Sequence, residues 1–168
     1  ENDPASHDAI AREYVVINVP EAGTLDACIQ KAGKDLTKLR NLKITGQINS
    51  RDFAVMRYKM NKLGALNLKE VTIVAGEMGE LESGQLYESN DADEIPNNAL
   101  KEKQSLTSLV LPDLLNKIGQ HSFDECRNIS GSLNIPEGVE SIGIAAFREC
   151  NSLNGTLTLP STLKSIGH

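Results

Sequence analysis

Three cysteines, three histidines and a few clustered carboxylates are the residues of this chain that could do chemistry. Cys28, Cys126 and Cys150 are too few, and odd in number, for a disulfide framework, and no two sit at metal-ligand spacing. His7, His121 and His168 are scattered, so none is paired in sequence with a nucleophile or a second ligand. The segment Asn90-Asp91-Ala92-Asp93-Glu94 has the acidic density of a calcium loop but lacks the Gly and the spaced bidentate Glu of an EF-hand. It reads as a solvated acidic loop, able to steer a basic partner. Glu137 and Glu140 flank one turn, and Glu125 and Glu149 recur one above the other. Paired carboxylates are what glycoside hydrolysis needs, yet no third wall converges on them and all four fit a solvated face. No G-x-S-x-G, H-E-x-x-H, P-loop or dinucleotide fingerprint occurs. The expectation is a chain with no catalytic residue, no metal and no cofactor; a carbohydrate-active fold is the enzyme alternative.

The composition narrows the partners. A formal net charge of −6 argues against nucleic acid, whose phosphates need a basic face. It argues equally against a polybasic membrane-surface domain. The apolar runs fall short of the roughly 20 residues of a membrane helix, so the chain is read as not transmembrane. Aromatics are 4% of the residues and Trp is absent, so the core must be built from Leu, Ile, Val and Ala in thin layers. The chain opens Glu1-Asn2-Asp3-Pro4, with neither Met nor an apolar leader, as if a targeting segment had been removed or left out.

What positions these residues is a repeat. Leu109-Val110-Leu111-Pro112, Leu133-Asn134-Ile135-Pro136 and Leu157-Thr158-Leu159-Pro160 follow one another at intervals of 24 residues. In step with them run Leu115, Val139 and Leu163; Ile118-Gly119, Ile142-Gly143 and Ile166-Gly167; Phe123 and Phe147; Cys126 and Cys150. Earlier, Ile95, Leu100 and Leu106 fit the same places. Leu39-x-x-Leu42-x-Ile44 and Leu63-x-x-Leu66-x-Leu68 repeat the spacing again. Leu-x-Leu is a short strand whose alternate side chains face opposite ways. One such strand cannot bury its apolar face alone, but stacked coils can. Five stacked strands are therefore expected, centred near residues 43, 67, 110, 134 and 158. Pro ends each strand, Ile-Gly makes a bend on the opposite wall, and Ala146–Cys150 forms a short helical turn.

The remainder divides as follows. Residues 1–13 are a polar tether. Residues 14–38 are an N-terminal cap, with a strand at Tyr14–Val19 and a helix capped by Thr24 that turns Leu25, Cys28, Ile29 and Ala32 inward. Residues 39–168 are the solenoid. A second helix, capped by Ser50, faces Phe53, Met56, Met60 and Leu63 to the core. The longer interval between the strands near 67 and 110 contains an acidic insertion at about 74–94, and no Lys or Arg occurs from Glu70 to Leu100. That insertion is read as a loop or ill-ordered excursion. The last coil halts at Ile166-Gly167-His168, so its edge is expected to be open, with either a further coil or self-association to cover it.

Facing away from the core are Ser108, Val110, Ser132, Asn134, Thr156 and Thr158. Small polar side chains keep a sheet face accessible to a ligand; they are equally compatible with mere solubility on a β-surface. Loops at one rim are the competing location. Cys126 and Cys150 should lie about 5 Å apart on adjacent coils, which a disulfide allows. A small apolar thiol wanted in every coil is the better reading.

The stretch Leu133-x-Ile135-Pro136-x-x-Val139-x-x-Ile142-Gly143-x-x-Ala146-Phe147-x-x-Cys150-x-x-Leu153 resembles the BspA-type branch of the leucine-rich-repeat proteins. Leu42 to Phe53 also resembles the opening of such proteins from Bacteroides-like gut bacteria. Leu100 in the Phe place, Lys103 in the Cys place, and Gly131 and Gly155 depart from the pattern. The resemblance implies an α/β, right-handed solenoid with a parallel sheet on the concave face and short helices or turns on the other walls. It implies a non-enzymatic adhesion or protein-binding module, extracellular or on the outer-membrane surface of a bacterium. The ligand would be a protein or glycan of host origin, and the protein either lipid-anchored upstream of Glu1 or freely secreted. The alternative function is an architectural spacer of the cell envelope.

Overall fold

A strand of alternating apolar residues pairs wherever the neighbouring coil offers a parallel partner, and this governs the first wall of the molecule. The computed structural model describes residues 13–168; residues 1–12, and with them nearly all of the expected tether and His7, lie outside the described part. The strands β1 (Val15–Val19), β2 (Asn41–Ile48), β3 (Ala65–Ile73) and β7 (Ser108–Val110) form one parallel sheet in that order. Their register stacks Ile17 on Ile44 and Leu42 on Leu66, then Leu66 on Leu109. Leu42, Ile44, Leu66 and Leu68 are wholly buried. A bulge in β3 sets Lys43 opposite Asn67 but Thr45 opposite Glu70. Just past it, Gly46 sits at φ +91°, where an added Cβ would run into the Val19 carbonyl. The wall continues in β9 (Leu133–Asn134) and β11 (Leu157–Thr158), again parallel, with Leu133 paired to Leu157. Between β7 and β9 the pairing lapses after Ser130 N–H donates to Thr107 O at 3.0 Å, where Gly131 turns at φ +82°.

The second wall is a sheet too. The isoleucines of the Ile-Gly pairs, expected at bends, end two-residue strands, β8 (Lys117–Ile118), β10 (Ser141–Ile142) and β12 (Ser165–Ile166), which β6 (Glu94–Ile95) joins. Ile95, Ile118, Ile142 and Ile166 form one parallel column. The glycines serve close approach rather than turning. None of Gly119, Gly143 and Gly167 has positive φ, and a Cβ on Gly119 would stand 2.7 Å from Asn97 N.

On the third wall the expected helical turn is absent. Alternate N–H groups reach across to the next coil: Leu100 to Ser122 O at 2.7 Å, His121 to Ile144 O at 2.9 Å, Phe123 to Ala146 O and Glu125 to Arg148 O both at 2.8 Å. The residues at either end of each such run, themselves donors where a following coil exists, adopt left-handed backbone. Asn98, Glu102, His121, Glu125, Ala145 and Glu149 have φ of 52° to 62°. Phe123 and Cys126 are buried beneath this wall, and Phe123 stacks on Phe147 with centroids 5.2 Å apart. In the last coil Leu157 and Ile166 are 59% and 56% exposed, since no coil of the described residues covers them.

The early coils replace turns by α1 (Leu25–Lys31) and α2 (Ser50–Lys59). Phe53, Met56, Met60 and Leu63 are buried as the pattern requires, whereas Ala32 is exposed and Cys28 only half-buried. The caps differ from expectation. Thr24 makes no side-chain cap, and Asn49, not Ser50, caps α2 in a capping box with Asp52. The Asp52 carboxylate, fully buried, accepts from Asn49 N at 3.0 Å and also from Gly23 N at 2.7 Å and Leu25 N at 3.0 Å. One side chain thus serves the starts of both helices. At the other end of α2, Lys103 donates to Met60 O at 2.8 Å, capping the helix from the next coil.

Residues 74–94 form a tied hairpin rather than an open excursion. β4 (Gly79–Glu80) and β5 (Leu86–Tyr87) are antiparallel, and Gly76 and Asn90 exchange backbone bonds of 3.0 and 2.9 Å at the base. Buried Asn90 anchors that base by accepting from Ser50 N at 2.9 Å and donating to Val74 O at 3.0 Å. Asp52→Ala leaves three backbone donors unmet at two helix starts and should cost about 2–4 kcal/mol. Urea unfolding followed by far-ultraviolet circular dichroism checks this; a loss under about 0.5 kcal/mol would refute the shared cap.

Candidate functional site

The period of two along each strand puts every second side chain of the first wall on its outer surface. Register then aligns these side chains across coils. Val16 lies beside Lys43, Lys43 beside Asn67, and Asn67 beside Val110; Asn134 lies beside Thr158 on the following pair. Of the residues expected there, Asn134, Thr156 and Thr158 are exposed, and Val110 and Ser132 are half-buried. Ser132 is partly spent on structure, since its Oγ accepts from Thr156 N at 2.9 Å. Ser108 is a correction. It is 4% exposed, in a row with Ala65 at 1%, because Gly64 O takes both Thr107 N and Ser108 N and draws the coils together there. Ser108 cannot present itself to a ligand.

Val16, Lys43 and Asn67 were missed, though their place between Leu42 and Ile44 or Leu66 and Leu68 already marked two of them as outward. Two ion pairs fix the charged flank of this face: Lys43 Nζ to Glu70 Oε2 at 2.8 Å, and Lys69 Nζ to Asp113 Oδ1 at 3.0 Å. Both are open to solvent, Lys43 only partly, and hold geometry more than they add stability.

The candidate chemical groups are committed elsewhere. His121 sets Nδ1 2.8 Å from Asp124 Oδ2, while Arg148 Nε and Nη2 each donate to that carboxylate at 2.9 Å. Burial pushes Asp124 up, but the bonds from Arg148 and His121 outweigh it and hold the carboxyl below the usual range. Arg127 bridges Glu125 at 2.9 Å and Glu149 at 2.5 Å. Glu137 accepts from Ser161 N at 3.0 Å, and Glu140 pairs with Lys164 at 3.0 Å. All four glutamates therefore tie one coil to the next. Cys126 and Cys150 are free thiols that donate to the carbonyls of Leu100 at 2.9 Å and Phe123 at 3.2 Å in the preceding coil. Burial pushes them up to about 12 and about 11, so neither supplies thiolate at neutral pH. Among the described residues no three His, Cys, Asp or Glu side chains converge to hold a metal ion, and no helix is long and apolar enough to cross a membrane.

Two outcomes follow. Ser108→Arg must bury a charge and should cost more than about 3 kcal/mol, while Asn134→Arg should stay within about 0.5 kcal/mol of wild type; equal melting curves would reverse the facing assigned to this wall. Asp124→Asn should cost about 1–2 kcal/mol at pH 7. Because the folded carboxyl is depressed, its contribution is present above the unfolded value near 4 and lost as pH falls through the folded one. Urea titrations should show the gap closing below about pH 4; a gap of constant size down to pH 2.5 would exclude the depressed carboxyl.

With the walls and their outward rows in place, residues 89–168 match a family described as BspA type leucine rich repeat region, in six copies. A search of curated proteins returns no match.

Proposed function

We propose, from the premise that this chain is a BspA-type leucine-rich-repeat protein across residues 89–168, that it is a non-enzymatic binding module of a bacterial cell-surface or secreted protein. Its ligand, a host protein or glycan, docks on the outer face of the first wall. The observation that carries this reading is a pair of aligned rows, Val16, Lys43, Asn67 and Val110 and then Asn134 and Thr158, one position per coil on strands joined by parallel pairing. Solenoids bind through such extended faces because core packing holds the coils constant while outward residues are free to vary. The family is in general a repeat scaffold for protein interaction, and the carboxylates, thiols and His121 are engaged in joining coils rather than in a reacting centre.

Surface plasmon resonance against immobilised extracellular-matrix proteins and a panel of oligosaccharides tests it. Saturable binding is expected, weakened at least tenfold by Asn134→Arg combined with Thr158→Arg. Binding that ignores both substitutions removes the face from the proposal. No binding to any probe favours the architectural spacer instead.

A further inference from the structure

Outside the first wall, a concavity lies where three separate segments meet. α2 supplies Phe53, Ala54, Arg57 and Tyr58, the hairpin supplies Met78–Glu80 and Leu86–Glu88, and the first regular coil supplies Pro96–Ala99 and Lys101. The cleft measures about 740 Å³, within the range of natural ligand sites. Its floor is apolar and buried, with Phe53 at 1%, Ala54 at 4% and Ala99 at 5% exposure. Its lip is apolar and open. Met78 and Leu86, both 73% exposed, are the most exposed large hydrophobic residues of the described chain. Large apolar side chains held over a concave site mark a place for a partner.

We infer that this cleft is a second binding site, taking an extended, uncharged peptide segment of a partner protein and inserting one of its large apolar side chains between α2 and the hairpin. The inference rests on the protein-binding reading above and adds the site and the chemistry of the bound segment. The walls are of the residue types that concentrate binding energy, Tyr, Arg and Met, which the first wall's outward row lacks. They are also pre-set. Arg57 lies over the Tyr58 ring at 4.7 Å and donates to Asn98 O at 3.0 Å, fixing that ring. Tyr87 lies so close over Gly79 that no Cβ would fit there. Asn90 ties the hairpin base to α2, and at the tip Glu82 reaches Arg51 at 3.2 Å and Lys59 at 3.4 Å. A preformed site loses little conformational freedom on binding.

The charges select a neutral occupant. Glu80 and Glu88 on the hairpin balance Arg57 and Lys101 opposite. Glu88 is already engaged, accepting from Asn97 Nδ2 at 3.1 Å and Asn98 Nδ2 at 3.3 Å. That engagement also weighs against a sugar, because Glu88 and one hydrogen of each amide are already occupied, and Met78 and Leu86 offer hydroxyls nothing.

Selection of phage-displayed twelve-residue peptides on the full chain, with anisotropy titration of the enriched sequences, tests the inference. Enrichment of uncharged peptides carrying a Leu, Met or Phe anchor is expected, and Asp in place of that anchor should abolish binding. Met78→Ser with Leu86→Ser, both on exposed side chains and checked by thermal melting, should raise Kd at least tenfold. The Asn134→Arg, Thr158→Arg protein should bind the same peptides unchanged. Failure to enrich peptides, enrichment of charged ones, binding indifferent to the Met78 and Leu86 substitutions, or capture of a neutral oligosaccharide that Tyr87→Ala abolishes would each overturn it. Matrix-protein binding lost through Asn134 and Thr158 would leave the first-wall reading standing even then.

Discussion

The regular coils of this protein pair much of their backbone with the neighbouring coils. The first wall does so by parallel strands, the second by two-residue strands, and the third by alternate N–H groups reaching to the next turn of chain. Buried backbone groups must be paired, so the distance between coils is set by hydrogen bonding and not by side-chain bulk. That distance then dictates composition. Gly119, Gly143 and Gly167 recur because their neighbours stand within 3 Å of where a Cβ would be. A thiol recurs at 126 and 150 because it is small enough for the core and can donate to a carbonyl of the preceding coil. The period of the sequence is the imprint of this spacing.

Where the period falters, single polar side chains take over the joining. Lys103 stands in the thiol's place, and the reason is length. The preceding coil there ends in α2, whose last carbonyls are out of a thiol's reach, so a four-carbon arm carries the donor to Met60 O. Burial depresses that ammonium to about 8, the consequence of taking a cation under the coil for the sake of the helix end. Asp52 and Asn90 do comparable work, one joining two helix starts, the other joining the hairpin to α2. The irregular half is held by specific buried bonds where the regular half is held by repetition.

Those two modes of joining explain what could be read from the residues. Leu-x-Leu at constant spacing declares the strands, their parallel stacking and the outward row, because side-chain alternation is a property of the strand alone. Ser108 fails that reading because exposure also depends on how closely the next coil approaches, which Gly64 decides from 44 residues earlier. The third wall was misjudged for another reason. Left-handed backbone at Glu102, Glu125, Ala145 and Glu149 has no compositional mark, since only Gly and Asn advertise it. The role of Asp52 left no local signal, because the donors it serves beyond its own cap come from Gly23 and Leu25, remote in sequence. The cleft was invisible for the same cause: no one of its three segments is concave by itself.

Function in such an architecture has to be added where repetition leaves freedom. Within the regular coils that freedom is confined to outward positions, and Ser132, Glu137 and Glu140 show how many of those are already taken for joining coils. What remains on the first wall is a narrow row of small side chains with little apolar area, a surface that can give register and selectivity more readily than affinity. The hairpin is under no such constraint. It interrupts the stack and pairs mainly with itself. It adds Met78, Leu86 and Tyr87 to a chain whose aromatics are otherwise sparse. An insertion that also needed two buried anchors, Asn90 and the N-terminus of α2, to hold it against the coils has been fixed in position at some structural cost. Fixing a loop so that its apolar side chains stay in water gains the folded chain nothing; the gain must come from whatever covers them.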